Sequence, residues 1–305
     1  MPAAFTHTKD MWWEYYLETA IAGGPAGAAY ATTAPSGAAE LTPCNYPYNE
    51  TQTMPHAEYV QEALEGPGQN ITVKQTFTKA KKVLPGKIKQ YVQNATWVDM
   101  AIAGTGGALP ATFLFHYDDG QNQLTAYGCY ITKYTFHSIT KEAMDETLEF
   151  NAYDVEDEDV VMDTSPWDAT AVFNHEDLAV TIGGQTCETV KEVTVEITKT
   201  YTEGPAGGSY LHKFPLLKKI DIEITVEWED YNINATTAVN IWDDLLTEAA
   251  TADLAITVDT GTKVLTATCM KVKPESTNIN EIPEKGTKSY KATFEIGGAC
   301  ALSTA

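Results

Sequence analysis

The side chains most often used in catalysis are scattered along this chain. Its six histidines stand at positions 7, 56, 116, 137, 175 and 212, and no two of them have the H-x-x-x-H spacing with which a helix binds zinc. The sequence contains no G-x-S-x-G nucleophile elbow and no phosphate-binding glycine loop. We therefore expect structural histidines, and we predict no catalytic residue, no cofactor and no enzymatic activity.

The residue types that bind metals are also dispersed. The five cysteines include no C-x-x-C pair and stand at positions 44, 129, 187, 269 and 300. This spacing favours buried free thiols over a zinc site or a disulfide framework. An acidic run at 154–163 offers carboxylates for calcium, but it lacks the D-x-[DN]-x-[DN]-G spacing with its turn glycine. We predict no metal site and a solvated charge run, with calcium binding left open.

The overall charge argues against one functional class. The 305 residues carry 42 acidic and 20 basic side chains, a net charge of −22, and every basic residue is a lysine. Proteins that read nucleic-acid sequence use cations on phosphate and arginine on guanine, so we do not expect that function. A hydrophobic fraction of 43% is enough for a core. We expect no secretory signal and no membrane-spanning helix.

Period-2 patterns predict that the elements holding these residues are mainly strands. In residues 217–229, Ile222, Ile224 and Val226 alternate with acidic and threonine side chains, which is typical of a strand with one buried face. Residues 189–201 show the same alternation. Turn dipeptides at 119–120 and 260–261 predict two hairpins. Their strands are residues 111–117 with 124–136, and 254–258 with 265–272.

Sequence landmarks recur in the two halves of the chain. Tyr91 and Tyr231, each five residues before the threonine of an Asn-Ala-Thr triplet, are 140 residues apart. Two turn glycines and two Leu-Thr-Ala triplets follow at offsets of 141, and Cys129 and Cys269 are again 140 residues apart. The common order predicts a tandem duplication. The alternative is coincidence in a β protein rich in threonine and alanine.

Each copy has room for a helix, at 98–103 and 238–250, and for a long loop before its last strand, at 138–146 and 275–286. We predict an N-terminal arm at 1–56, a first β domain at 57–153, an acidic linker at 154–186 and a second β domain at 187–305. In the arm, a small-residue stretch follows an aromatic group that is a candidate docking patch. Local packing onto the first domain is the other interpretation of that group, which consists of Trp12, Trp13, Tyr15 and Tyr16.

Two stretches of the chain resemble a known protein family. The stretches LTAYGCYITKYTF at 124–136 and ETLEF at 146–150 resemble strands of the major tail tube proteins of long-tailed bacterial and archaeal viruses, in particular the type with two tube domains. The resemblance covers roughly residues 57–300; the arm and the lack of arginine are not family features. It implies a mainly β fold with two tandem tail-tube-like β-sandwich or half-barrel units, each flanked by a short helix, and an extended N-terminal arm.

The resemblance implies a structural virion protein. With two units per chain, it implies trimeric rings of pseudo-sixfold symmetry that stack into a helical tube, assembled in the host cytoplasm and located in the virion tail. Arms such as the aromatic group would contact the next ring, other tail proteins would cap the tube, and double-stranded DNA would pass without specific binding. An acidic lumen repels phosphate. The candidate lining, or else an ordinary solvent-facing strand face, consists of Asp221, Glu223, Thr225 and Glu227.

Two other functions stay open on the sequence alone. Another virion protein of a ring, baseplate or capsid decoration would form closed rings or trimers that do not stack. A carbohydrate-binding β-sandwich would present exposed tryptophans as a sugar platform. The candidates for such a platform are Trp12, Trp97, Trp167, Trp228 and Trp242.

Overall fold

A computed structural model describes fifteen segments of the chain. They are residues 12–17, 42–48, 52–64, 75–83, 85–103, 112–118, 123–156, 170–183, 185–187, 189–205, 212–229, 254–260, 264–276, 290–296 and 302–304. Within them the protein is mainly β, with antiparallel strand pairing throughout, which confirms the predicted fold class at this level.

The described elements divide between two halves of the chain. The first half contains β1 (Trp12–Leu17), β2 (Thr42–Pro43), β3 (Ala57–Leu64), β4 (Gln75–Val83), β5 (Gly86–Tyr91), α1 (Thr96–Ile102), β6 (Phe113–Asp118), β7 (Gln123–Ile139), β8 (Asp145–Asn151) and β9 (Asp154–Glu156). The second half contains β10 (Ala179–Ile182), β11 (Gln185–Thr186), β12 (Val190–Pro205), β13 (His212–Trp228), β14 (Leu254–Asp259), β15 (Val264–Val272), β16 (Tyr290–Ile296) and β17 (Leu302–Thr304). Short 3-10 helices lie at His175–Asp177 and Pro274–Ser276.

The two halves have the same strand order. In the first half the order is β2–β1–β6–β7–β8–β5, and β9 also pairs with β7. In the second half it is β11–β10–β14–β15–β16–β13, and β17 also pairs with β15. The residue that follows β2 or β11 is a buried free cysteine in both halves. The Cys44 amide donates to Trp13 O (2.9 Å), and the Cys187 amide donates to Val180 O (2.8 Å).

Among the described strands, one pairing joins the two halves into one sheet. β12 pairs with β13 on one side and with β7 on the other, with Lys133 opposite Thr198 and Ile139 opposite Glu192. We call the β7–β12 pairing the seam. The loop predicted at 138–146 is wrong in extent, because pairing with β12 keeps β7 extended as far as Ile139 and β8 already begins at Asp145.

Other local predictions can be compared directly with these elements. The two predicted hairpins are present as β6–β7 and β14–β15. The helix expected at 98–103 is α1, which begins two residues earlier. The helix expected at 238–250 lies outside the described residues, and so does most of the loop expected at 275–286. β3 and β4 form a separate two-stranded sheet among the described strands.

The segments assigned to an arm and a linker contribute strands to the sheet where they are described. β1 and β2, which lie in the proposed arm, extend the sheet beyond β6. The proposed linker contains β9, which pairs with β7, together with β10 and β11, which extend the sheet beyond β14. The three boundaries between the four predicted segments stay a prediction.

The buried side chains of both halves form one hydrophobic cluster. α1 lies against it through Trp97, Met100 and Ala101, and contacts both β7 and β17. In the first half, Phe150 lies opposite Gly86 across β8–β5, and a Cβ at Gly86 would be 2.5 Å from the Phe150 Cζ atom. Glycine at this position therefore lets an aromatic ring lie directly on the neighbouring strand.

Candidate assembly and lining surfaces

The candidate lining residues share one face of β13. Asp221, Glu223, Thr225 and Glu227 are half-buried there, while the intervening side chains of β13 are buried in the core. Across β12–β13, Glu196 lies opposite Glu223 and Glu192 lies opposite Glu227. Like charges in directly opposed positions repel each other and destabilise a strand pair, so this face requires compensating cations.

Lysines on β13 itself, on β7 and directly after β15 supply those cations. Lys273 Nζ lies 2.8 Å from Glu223 Oε2, and Lys219 Nζ lies 2.6 Å from Asp221 Oδ1. Glu196 is matched by a lysine across the seam, because Lys133 Nζ lies 2.8 Å from its Oε2 atom. These pairs neutralise charges that repel within the strand pair, although each exposed ion pair contributes only about 0–1 kcal/mol to stability.

The acidic strand is one part of a larger polar surface on β5, β8, β7, β12, β13, β16 and the end of β15. Lysines and carboxylates are nearly equal in number on it, so its net charge is close to zero even though the chain is strongly acidic. We call it the mosaic face. Its charged members are Lys87, Lys89, Lys133, Lys219, Lys271, Lys273, Lys291, Asp145, Glu149, Glu192, Glu196, Asp221, Glu223, Glu227 and Glu295.

The four aromatic residues in the arm belong to β1, and those whose side chains are described differ in burial. Trp13 and Tyr15 are 1% and 5% exposed, because β1 directs them into the core of the first half. The Trp13 ring lies 6.2 Å from Phe115 and the Tyr15 ring 4.7 Å from Trp97, measured between centroids. Packing onto the parent domain therefore describes these two side chains. Tyr16 is half-buried, and the side chain of Trp12 lies outside the described residues.

A histidine bridges the two halves on the mosaic face. His137 Nδ1 lies 3.2 Å from Asp145 Oδ2 in the first half, and its Nε2 lies 3.4 Å from Glu192 Oε1 across the seam. Carboxylates accept hydrogen bonds, so both ring nitrogens carry a proton when both contacts form. The hydrogen bond to Asp145 is the main cause that raises the pKa of His137.

A second histidine fastens the seam from the buried side. His175 Nε2 lies 2.9 Å from Val190 O on β12, and Nδ1 lies 2.8 Å from Ser138 Oγ on β7. Because a carbonyl oxygen only accepts, Nε2 donates, and in the neutral ring Nδ1 accepts from the Ser138 hydroxyl. A serine beside a histidine is also a nucleophile–base geometry. Here Ser138 is 1% exposed and lies opposite Val193 within the β7–β12 pairing, so the contact is structural.

A buried lysine connects the second half to α1. Lys199 of β12 is 5% exposed, and its Nζ atom donates to Met100 O and Ala103 O, both at 2.9 Å. These carbonyls belong to the last turn of α1, where they have no partner within the helix and where a positive charge is favourable. Burial lowers the pKa of Lys199 to about 8.

A deeply buried carboxyl group with three side-chain donors lies in the first half, on β8. Glu146 is 1% exposed, and its Oε1 atom accepts hydrogen bonds from Asn45 Nδ2 (2.9 Å) and Gln90 Nε2 (2.8 Å). Its Oε2 atom accepts from the Tyr134 hydroxyl at 3.0 Å, and Asn94 Nδ2 donates to Asn45 Oδ1 at 2.7 Å. Burial raises the pKa of Glu146 to about 8, against the opposing effect of its three donors. We call these five residues the Glu146 cluster.

Sequence reasoning missed the Glu146 cluster, although one signal was present. In the strand around ETLEF, the buried positions alternate as Met144, Glu146, Leu148 and Phe150. Glu146 therefore falls on the apolar phase of a period-2 pattern, which marks a buried carboxyl that needs hydrogen-bond donors. The donors Asn45 and Gln90 are 101 and 56 residues away, and Tyr134 is on the neighbouring strand β7, so no spacing motif could identify the set.

Several other residues singled out in the sequence have a definite place. Trp97 and Trp228 are each 1% exposed, so neither can contribute to a sugar platform. Asp154–Glu156 of the acidic run form β9, and residues 157–163 lie outside the described residues. The described part of the chain contains no group of three or more histidine, cysteine or carboxylate side chains placed to hold a metal ion. None of its helices is long and apolar enough to cross a membrane.

Comparison of the sequence with protein-family profiles and with curated proteins gave no match.

Proposed function

We propose that this chain is a structural virion protein that polymerises as stacked rings into the tail tube of a long-tailed virus and forms a conduit for DNA. The observation that carries the proposal is the seam, at which the second of two halves with the same strand order continues the sheet of the first. The shared strand order and the equivalent positions of the free cysteines Cys44 and Cys187 support a tandem duplication. Two like units joined edge to edge are the geometry of two neighbours in a closing ring.

The seam supplies a template for contacts between copies. β12 has an equivalent in the first half, since Pro47 and Thr53 lie beside β5 and form bridges with Gln90 and Lys87. Among the described strands, none pairs with Pro47 or Thr53 on the side away from β5, which is the side on which β12 pairs with β7. An open strand edge pairs readily with another chain. In the proposed ring, this edge meets the β15 side of the next copy.

The mosaic face supports a modified version of the acidic lining. A conduit requires that DNA phosphates find no concentration of uncompensated cations. On the mosaic face each lysine stands among carboxylates, as Lys273 stands beside Glu223 and Lys271 beside Glu295. We propose that this face lines the bore. Its attraction for DNA is weak because its lysines stand beside carboxylates, and not because the surface is uniformly negative.

Negative-stain microscopy of the purified full chain tests the proposed function. We expect hollow filaments with a regular axial repeat. Rings that never stack would favour a baseplate or capsid-decoration role, and dispersed monomers at high concentration would overturn the proposal.

A disulfide experiment tests the ring contact itself. Lys133 and Thr198 are opposite each other in the seam, and by the repeat offset their counterparts are Lys273 and Ala57, at 140 and 141 residues respectively. Cysteines at opposed positions of a strand pair are close enough to form a disulfide. In the double variant Ala57→Cys, Lys273→Cys we expect an oxidation ladder that ends at covalent trimers. Either single variant is the matched control, and a cross-linked monomer alone would contradict the contact.

A further inference from the structure

The strand edge that the proposed function assigns to ring closure is held in place by the Glu146 cluster. Residues 42–48 lead directly into this edge, and Asn45, in their middle, is 0% exposed. The Tyr46 amide donates to Gln93 Oε1 at 2.5 Å, and the Tyr48 amide donates to Lys89 O at 3.0 Å. The segment is held in the core by the buried side chains of Cys44 and Asn45, and Glu146 accepts the hydrogen bond of Asn45.

The surroundings of Glu146 disfavour its charged form. Asp145 is the preceding residue, and its charge disfavours an ionised Glu146. Burial raises the pKa of the Cys44 thiol, and the negative charges of Glu14 on β1 and of Glu146 raise it further. Burial also raises the pKa of Tyr134 on β7, and the negative charges of Glu146 and of Asp99 on α1 raise it further. Lys89 Nζ lies 3.5 Å from Asp145 Oδ1, so its positive charge forms an ion pair with that carboxylate. An ionised Glu146 would be a buried charge beside another acid, Asp145, which is costly, and its three donors offset only part of that cost.

We propose that the Glu146 cluster is a proton-dependent latch that fixes residues 42–48, and with them the assembly edge, when Glu146 is neutral and loosens them when it ionises. The inference rests on the proposed function for its consequence in assembly, but the latch itself is a property of the single chain. Opening the cluster to water returns the carboxyl to an ordinary environment, so the ionised form favours the open state.

The direction of the pH effect follows from proton linkage. The closed state holds the Glu146 proton up to a pKa of about 8, whereas an opened, solvated glutamate releases it near its usual value of about 4.3. The closed state therefore binds more protons between these values, and opening becomes more favourable as the pH rises through this window. Above about pH 8 both states are ionised, and the effect levels off.

Backbone hydrogen exchange of the dispersed full chain tests the latch. We expect the protection of the Cys44, Tyr46 and Tyr48 amides, after correction for intrinsic exchange, to fall by at least about tenfold between pH 5.5 and pH 8. In Glu146→Gln, which keeps the shape but cannot ionise, we expect less than about a twofold change. Glu149→Gln is the matched control, because Glu149 is exposed on the same strand beside Lys87, and it should behave as the wild type.

A second variant keeps the test decisive if Glu146→Gln does not fold. Tyr134→Phe removes a donor that favours the ionised carboxylate and so raises the closed-state pKa further, which should move the pH at which the loss of protection levels off to a higher value. Equal pH dependence in wild type and Glu146→Gln, or a flat wild-type profile, would overturn the latch.

The latch and the proposed function can fail separately. Exchange is measured without polymer, so a protein that shows the latch but never forms filaments would refute only the proposed function. If filaments form, the wild type should assemble less at pH 8 than at pH 5.5, and Glu146→Gln equally at both.

Discussion

The two halves of the molecule build the same strand order with different interior side chains. The first half packs aromatic rings, with Phe113 lying 5.2 Å from Trp97 and 5.5 Å from Phe150 between centroids. The described core of the second half is mainly aliphatic on β12 and β13, as with Ile197 and Ile224. Strand order in this molecule therefore depends on backbone pairing and turn positions, while each interior only has to be apolar and well packed.

The halves differ more sharply in buried polar groups. Most of the buried polar side chains in the described segments belong to the first half, among them Glu14, Gln90, His116 and Glu146. The second half contributes Lys199, which points into the first half, and Thr293. The first half thus combines its aromatic core with titratable groups. We expect the pH dependence of the protein to arise there and at the seam.

The largest effect should come from the aromatic core. Phe113→Ala removes a ring that is 1% exposed, and we expect it to lower the free energy of unfolding by about 3–5 kcal/mol. Ile224→Val in the second half, by contrast, should cost about 0.5–1.5 kcal/mol. Because one sheet and one hydrophobic cluster include both halves, each variant should unfold in a single transition. Urea denaturation followed by both fluorescence and circular dichroism would check this.

Two separate transitions in Phe113→Ala, the first belonging to the first half alone, would break the comparison in its present form. The halves would then be independent domains that happen to share a strand pair.

The link from the second half into the first should have the next largest effect. Lys199→Met keeps the length of the side chain but leaves two helix-end carbonyls without their donor, at an expected cost of about 1–3 kcal/mol. The folded state lowers the pKa of Lys199 to about 8, so the unfolded chain binds more protons between there and about 10.4. The wild-type contribution thus increases as the pH rises through this range and is lost as the pH falls through it.

Urea midpoints at pH 8 and pH 10 measure this slope. The wild type should gain stability from Lys199 between these values, and Lys199→Met should not. Lys218→Met, an exposed lysine of β13, is the matched control and should keep the wild-type slope. An unchanged slope in Lys199→Met would show that the amine is not buried in solution.

The sequence was sufficient for the elements whose pattern is local. Alternation in residues 217–229 predicted β13, and the dipeptides at 119–120 and 260–261 predicted both hairpins. It was not sufficient for β1 and β10, short strands that pair with β6 and β14 from distant positions in the chain. The acidic face of β13 was visible, and so was Lys219 beside Asp221 on the same strand, but Lys273, the partner of Glu223, comes from the end of β15. Only strand register brings such charges together.

The smallest effect should come from the half-exposed histidine at the seam, and it distinguishes this joint from the buried contacts beside it. His137 is charged most fully below its usual pKa of about 6.5, and the folded state raises that pKa, chiefly through Asp145. Its contribution to stability is therefore complete at low pH and is lost as the pH rises through the folded value. Because the ring is only partly buried, we expect this contribution to stability to be about 0.2–1 kcal/mol.

Thermal unfolding measures the contribution. The unfolding midpoint of His137→Gln should lie below that of the wild type at pH 5.5 and equal it at pH 8.5. The difference should shrink in high salt, since the ion pair with Glu192 is open to solvent. A deficit that persists at pH 8.5 would mean that His137 holds the seam by packing and not by charge.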